Sequence, residues 1–175
     1  IESCSGIHRI SKPIEHIPVD AVQSRIYFFY NNDILRVGVE KSVSVEEVKT
    51  LDIDTARDIY ELRYYRAPKI DKLPALIQPF VFDCAVNHGP RRAIKFVQNI
   101  CNDAGFGPLV ADGLMWPLTK ARAQSCAESL GDWMLVALVE ERQMFYSNIV
   151  ANNASQEVFL NGWLNRARSF LPEIA

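Results

Sequence analysis

Phe80-Val81-Phe82-Asp83-Cys84-Ala85-Val86-Asn87-His88-Gly89-Pro90 is the stretch whose reading decides the fold. Its apolar residues cover nearly every side of a helix, so that helix must be central and buried. Gly89 suits the helix end, and Pro90 suits the first position of the next helix. Asp83 and Asn87 break the apolar pattern. They stand four apart, hence as neighbours on one face. Burying either without a partner would cost roughly 1–3 kcal/mol. Either they hydrogen-bond the structure around them, or they open onto a cleft. An amide such as Asn87 pairs well with sugar hydroxyl and acetamido groups, because it offers both donors and an acceptor. His88 suits a helix-end cap, and its place beside Asn87 makes it a candidate contact for the same ligand.

Working outward, the helix containing this stretch starts at about Leu76 or Pro79. The helix opened by Pro90 runs to near Gly105. Further helices are expected over 117–130, 132–151 and 155–171, the last two separated by Asn152-Asn153-Ala154. Upstream, Asp54 or Thr55 caps a helix that Pro68 stops. Ser44 with Glu47 forms a capping box for a short helix to about Leu51. Residues 25–40 differ in kind. Arg25-Ile26-Tyr27-Phe28-Phe29-Tyr30 and Ile34-Leu35-Arg36-Val37-Gly38-Val39 flank the turn signal Asn31-Asn32-Asp33, which reads as a β-hairpin. Ile7, Ile10, Ile14 and Ile17 recur at helical spacing, but Pro13 and Pro18 interrupt them. The expected fold is mainly α with a small N-terminal hairpin, an α+β arrangement in one domain over 1–175. It divides into an N-terminal segment, 1–42, and a helical part, 43–175. Phe80, Cys84, Phe96, Leu135, Leu138, Phe145 and Trp163 are the expected core.

Composition narrows the function. The 175 residues are 49% hydrophobic and 23% charged, with a net charge of −2, an ordinary globular profile. There is no basic excess for nucleic acid and no apolar run long enough to insert in a membrane. A monomer without cofactor or metal is expected. Cys4, Cys84, Cys101 and Cys126 form no CxxC pair, which argues against zinc. They read as reduced and non-catalytic, as in a protein made in a cytoplasm even if it works outside one. The chain starts at Ile1 without a signal-peptide pattern, so it reads as part of something longer. His8, His16 and His88 are its three histidines, and no nucleophile–histidine pair follows from their spacing.

The run from Val81 to Ala93, continuing to Phe96-Val97-Gln98, resembles the central motif of glycoside hydrolase family 108. These are muramidases of the lysozyme-like superfamily, found in phage endolysins and bacterial secretion-activator proteins. Val45-Glu46-Glu47-Val48-Lys49 through Ala56, Ile59, Tyr60, Tyr64 and Tyr65 is similar to the helix pair before that motif. The family carries Tyr-Trp where this chain has Tyr64-Tyr65. Asp112-Gly113 with Pro117-Leu118-Thr119 resembles its Asp-Gly and Gly-Pro-x-Thr segment, with Met115-Trp116 in place of the usual residues. Arg142, Phe145-Tyr146 and Phe159 to Arg166 are similar to its C-terminal end. The resemblance spans roughly residues 43–170. The Asn87-x-Gly89-Pro90 turn is also similar to a sugar-contacting turn in lytic transglycosylases.

The resemblance implies cleavage of the bond between N-acetylmuramic acid and N-acetylglucosamine in peptidoglycan. A protonated carboxyl would donate to the leaving oxygen, and a second carboxylate or a positioned water would complete the reaction. Asn87, Asp83, Tyr64, Tyr65 and His88 are then the candidate substrate-binding residues. The family's acid is the Glu of a Glu-Gly-Gly-Tyr motif. This chain has no such motif, and Tyr27-Phe28-Phe29-Tyr30 falls near its place. Glu15, flanked by Ile14 and Ile17, and Glu2, whose Glu2-Ser3 resembles a transglycosylase segment, are the candidate catalytic acids. Asp33 and Glu40 are candidates for the second carboxylate. The expected site of action is the bacterial periplasm or cell wall, with delivery by a phage or a secretion apparatus. The alternative is a lysozyme-like scaffold that has lost its acid and serves as a wall-binding or structural module.

Overall fold

The computed structural model describes residues 52–172. The expected hairpin at 25–40, the short helix ending near Leu51, and Glu2, Glu15, Asp33 and Glu40 lie outside the described residues. The chain divides into two compact units, Ile1–Arg63 and Tyr64–Ala175. Among the described residues there are six α-helices and no strand.

Helix α1 spans Ile53–Tyr60. Its N-cap is Asp52, just upstream of the expected Asp54 or Thr55. The Asp52 carboxylate accepts from Asp54 N at 3.0 Å and Thr55 N at 2.9 Å, which satisfies two donors that no earlier turn can serve. The Thr55 hydroxyl adds a third bond at 2.6 Å, and these bonds hold the Asp52 carboxyl below its usual range. Asp54 belongs to the first turn instead, where its charge suits the positive helix end. A π-helical segment, Glu61–Arg66, follows. Its extra residue per turn changes the direction in which Tyr64 and Tyr65 leave the backbone. A 3₁₀ turn, Ile70–Lys72, comes after Pro68.

Helix α2, Gln78–His88, is the central one. Phe80, Val81, Phe82, Asp83, Cys84 and Ala85 are consecutive and all buried, as a helix apolar on every side requires. Gly89 turns the chain with φ 84° and ψ 151°, a conformation open to glycine but strained for side-chain-bearing residues. Helix α3, Pro90–Asp103, therefore starts one residue later. It buries Ala93, Ile94, Phe96, Val97, Ile100 and Cys101 along one face. Helices α2 and α3 form the most extensive helix–helix contact of the described residues.

Helices α4 (Pro117–Leu130), α5 (Asp132–Asn152) and α6 (Glu157–Arg168) complete the unit. A 3₁₀ turn at Ala154–Gln156 precedes α6, and α6 stops at Arg168 instead of reaching 171. Met134, Leu135, Leu138, Val139 and Tyr146 seat α5 in the core. Phe145 and Trp163, expected in the core, are half-buried. The reason is visible in their neighbours. They belong to a sheet of rings that runs from the core to the surface. Tyr146 stacks on Trp163 at 5.2 Å and Trp163 on Phe159 at 5.8 Å, with Phe159 half-exposed.

Candidate functional site

The C-terminal half of α2 carries Asp83, Asn87 and His88, and one connected polar network ties them together. Asp83 is buried. Arg166 of α6 donates to it from Nε, at 3.0 Å to Oδ1 and 3.2 Å to Oδ2, and also from Nη2. Arg142 of α5 is fully buried. Its Nη1 stands 2.7 Å from Asp83 Oδ2, an ion pair out of line for a hydrogen bond. The Arg142 guanidinium also lies 5.5 Å from the ring centres of both Phe80 and Tyr146, where ring faces favour a cation. Burial opposes its charge, but Cys84, Asp83 and Tyr146 outweigh that and raise its pKa.

Asn87 Nδ2 donates to Asp83 O at 2.7 Å and to Asp83 Oδ2 at 3.2 Å. Both partners are pure acceptors, so the amide nitrogen must face them and Oδ1 must point the other way. Asp83 therefore fixes the orientation of the Asn87 amide. On the opposite flank, Arg142 Nε donates to Tyr146 Oη at 2.8 Å, and Tyr146 Oη lies 3.0 Å from His88 Nε2. Tyr146 Oη accepts from Arg142 Nε, and the direction of its bond to His88 Nε2 follows the imidazole tautomer. The His88 ring also meets Phe96, Phe145 and Tyr146 edge-on. Burial pushes the Tyr146 hydroxyl pKa up, so it stays protonated.

Tyr65 is half-buried against the start of α2. Its hydroxyl donates to Gln78 Oε1 at 2.6 Å, and its ring meets Phe82 edge-on at 5.8 Å. Gln78 Nε2 in turn donates to Leu73 O at 2.7 Å, which pins the entry of α2. Tyr64 is also half-buried. Asp83, Asn87 and His88 are thus gathered at one end of α2, and Tyr65 sits toward the other. The network partners Arg142, Tyr146 and Arg166 were absent from the sequence-derived site. The signal for them was present: a charged residue within the apolar face of α5, and a buried Asp that demands a counter-charge.

Cys84 adjoins this network through Arg142, but the buried thiols supply it with no nucleophile. Burial pushes Cys84 up to about 12, and Cys101 likewise to about 12, with Cys126 beside it adding to the rise. Burial also raises Cys126. A neutral thiol is a poor nucleophile and a poor metal ligand.

Comparison with known proteins agrees with this picture. Residues 29–89 match the family model described as Glycosyl hydrolase 108. Residues 92–168 match the model described as Predicted Peptidoglycan domain. A solved structure titled "Structure of Brucella abortus SagA" aligns with a TM-score of 0.63 at 26% identity, covering 79% of this chain and 72% of that one. No curated protein matches significantly. Among the described residues no helix is long and apolar enough to cross a membrane. Residues 29–89 thus carry the likeness to glycosyl hydrolase 108, and residues 92–168 the likeness to a predicted peptidoglycan domain.

Proposed function

We propose that the chain is a muramidase, hydrolysing the bond between N-acetylmuramic acid and N-acetylglucosamine in bacterial cell walls. The observation that carries this is the fixed amide of Asn87. It stands at the end of the most buried helix, in the segment matching the hydrolase family, and is oriented by a buried carboxylate. A rigidly held amide suits recognition of a sugar acetamido or hydroxyl group, because little freedom is lost on binding. In this reading Asn87 contacts the glycan directly with His88 beside it, and Tyr64 and Tyr65 are further contacts along the strand. Asp83 acts by holding Asn87, since Arg142 and Arg166 engage its carboxylate.

The reaction needs a proton for the leaving oxygen while water adds to the anomeric carbon. Glu15 or Glu2 supplies that proton in this proposal, and Asp33 or Glu40 assists the water. Glu→Gln at the true acid keeps the shape and removes the proton. Clearing of purified cell walls by Glu15→Gln and Glu2→Gln tests this. One of the two should lose activity by at least about a hundredfold while still binding walls. If both variants clear walls as the parent does, the acid lies elsewhere. If the parent binds walls and clears none, the scaffold alternative holds. The missing Glu-Gly-Gly-Tyr motif is the observation that favours that second reading.

A further inference from the structure

Trp116 is 54% exposed, yet it is firmly held. Its indole Nε1 donates to Asp112 Oδ2 at 2.8 Å. Asp112 Oδ1 accepts from Leu114 N at 2.9 Å and from Gln98 Nε2 at 3.1 Å. Gln98 is fully buried on α3. Its Nε2 also reaches Leu114 O at 3.1 Å and Thr119 Oγ1 at 3.3 Å, and its Oε1 accepts from Gly113 N at 2.9 Å. A chain of hydrogen bonds thus runs from the core to the edge of an exposed indole. The indole N–H, with the Leu114 and Gln98 donors, holds the Asp112 carboxyl below its usual range.

A large apolar ring locked in place at the surface is a pre-organised contact area. Pro117 and Leu118 continue its exposed apolar surface. Lys120 is exposed one helical turn on, its N–H bonded to Trp116 O at 3.1 Å.

We propose that Trp116 is a glycan subsite on which a sugar ring of peptidoglycan lays its C–H face. The ring faces of pyranoses are apolar and match a flat indole in size. Lys120 offers a cation to a carboxylate of the stem peptide. The segment's match to a peptidoglycan domain selects glycan as the occupant. The proposal rests on the reading that the chain acts on peptidoglycan, but it concerns a residue other than Asn87.

The test is co-sedimentation of the full chain with purified peptidoglycan sacculi. Trp116→Ala should weaken binding about tenfold, and Trp116→Phe should retain most of it. Trp133→Ala removes an indole that is 61% exposed elsewhere and should change nothing. Equal binding by Trp116→Ala and the parent overturns the subsite, as does an equal loss in Trp133→Ala. If Trp116→Ala does not fold, indole emission in a Trp133→Phe protein decides. Soluble muropeptides should shift it, and Trp116→Phe should abolish the shift. An unshifted emission contradicts the subsite. Weakening by Asn87→Ala with none by Trp116→Ala sinks the subsite and spares the proposed function. A parent that never sediments with sacculi sinks both.

Discussion

At the scale of single residues, Asp83 is the pivot. Its burial needed compensation, and that need was legible in the sequence. The partners were not, because Arg166 is 83 positions away and Arg142 joins only when α5 packs on α2. Spacing along one helix reports only neighbours on that helix. The Asp83–Asn87 bond, at i and i+4, was accordingly the part that could be read in advance. Removing one member of a buried ion pair strands the other charge. Arg142→Ala should therefore cost on the order of 3–5 kcal/mol in urea unfolding. A loss below about 1 kcal/mol would show that Asp83 and Arg166 suffice without it. Asn87→Ala should behave differently. It should weaken glycan binding or turnover by about 1–3 kcal/mol and change stability less. An Asn87→Ala protein that unfolds instead would make the residue structural.

At the scale of elements, helices set by caps and breakers were legible, and irregular ones were not. Pro90, Pro117 and Gly89 mark starts and stops that the structure keeps. The π segment carries no sequence signature, so the positions of Tyr64 and Tyr65 could not be derived from an ordinary helical period. The loop before α4 depends on Gly113, with φ 77°. A Cβ there would come within 2.4 Å of Arg91 O. Gly113→Ala should lower stability by roughly 1–3 kcal/mol through backbone strain and this clash. A thermal midpoint equal to the parent's would show that the loop yields freely.

The buried thiols give a pH dependence to the helices that hold them. Unfolded cysteines ionise near their ordinary value of 9.0, while folded Cys84 and Cys101 stay protonated to about 12. Raised folded pKa values give stability that is present below pH 9.0 and lost as pH rises toward about 12. Urea midpoints should fall between about pH 8 and about pH 10.5, and Cys84→Ala should flatten that fall. A midpoint that stays level across this range would contradict the burial of these groups.

At the scale of the molecule, the boundary between the two family matches, after residue 89 and before 92, falls where α2 gives way to α3, in the first turn of α3. These helices share the most extensive contact of the described residues. Asp83 lies in the first match, and its partners Arg142 and Arg166 lie in the second. The peptidoglycan segment is therefore part of the same packed unit as the motif helix. A fragment beginning at Pro90 would expose the face of α3 and leave Arg142 without its counter-charge. It should lose cooperative thermal unfolding, whereas a sharp transition would show that it folds alone. The helical content and the central place of α2 were legible because a helix apolar on all sides has nowhere else to go. The central claim, that the chain is a muramidase, is tested most directly by mass spectrometry of borohydride-reduced muropeptides after digestion of purified peptidoglycan. The account predicts new fragments ending in reduced N-acetylmuramic acid. Fragments ending in reduced N-acetylglucosamine, or no released fragments at all, would contradict it.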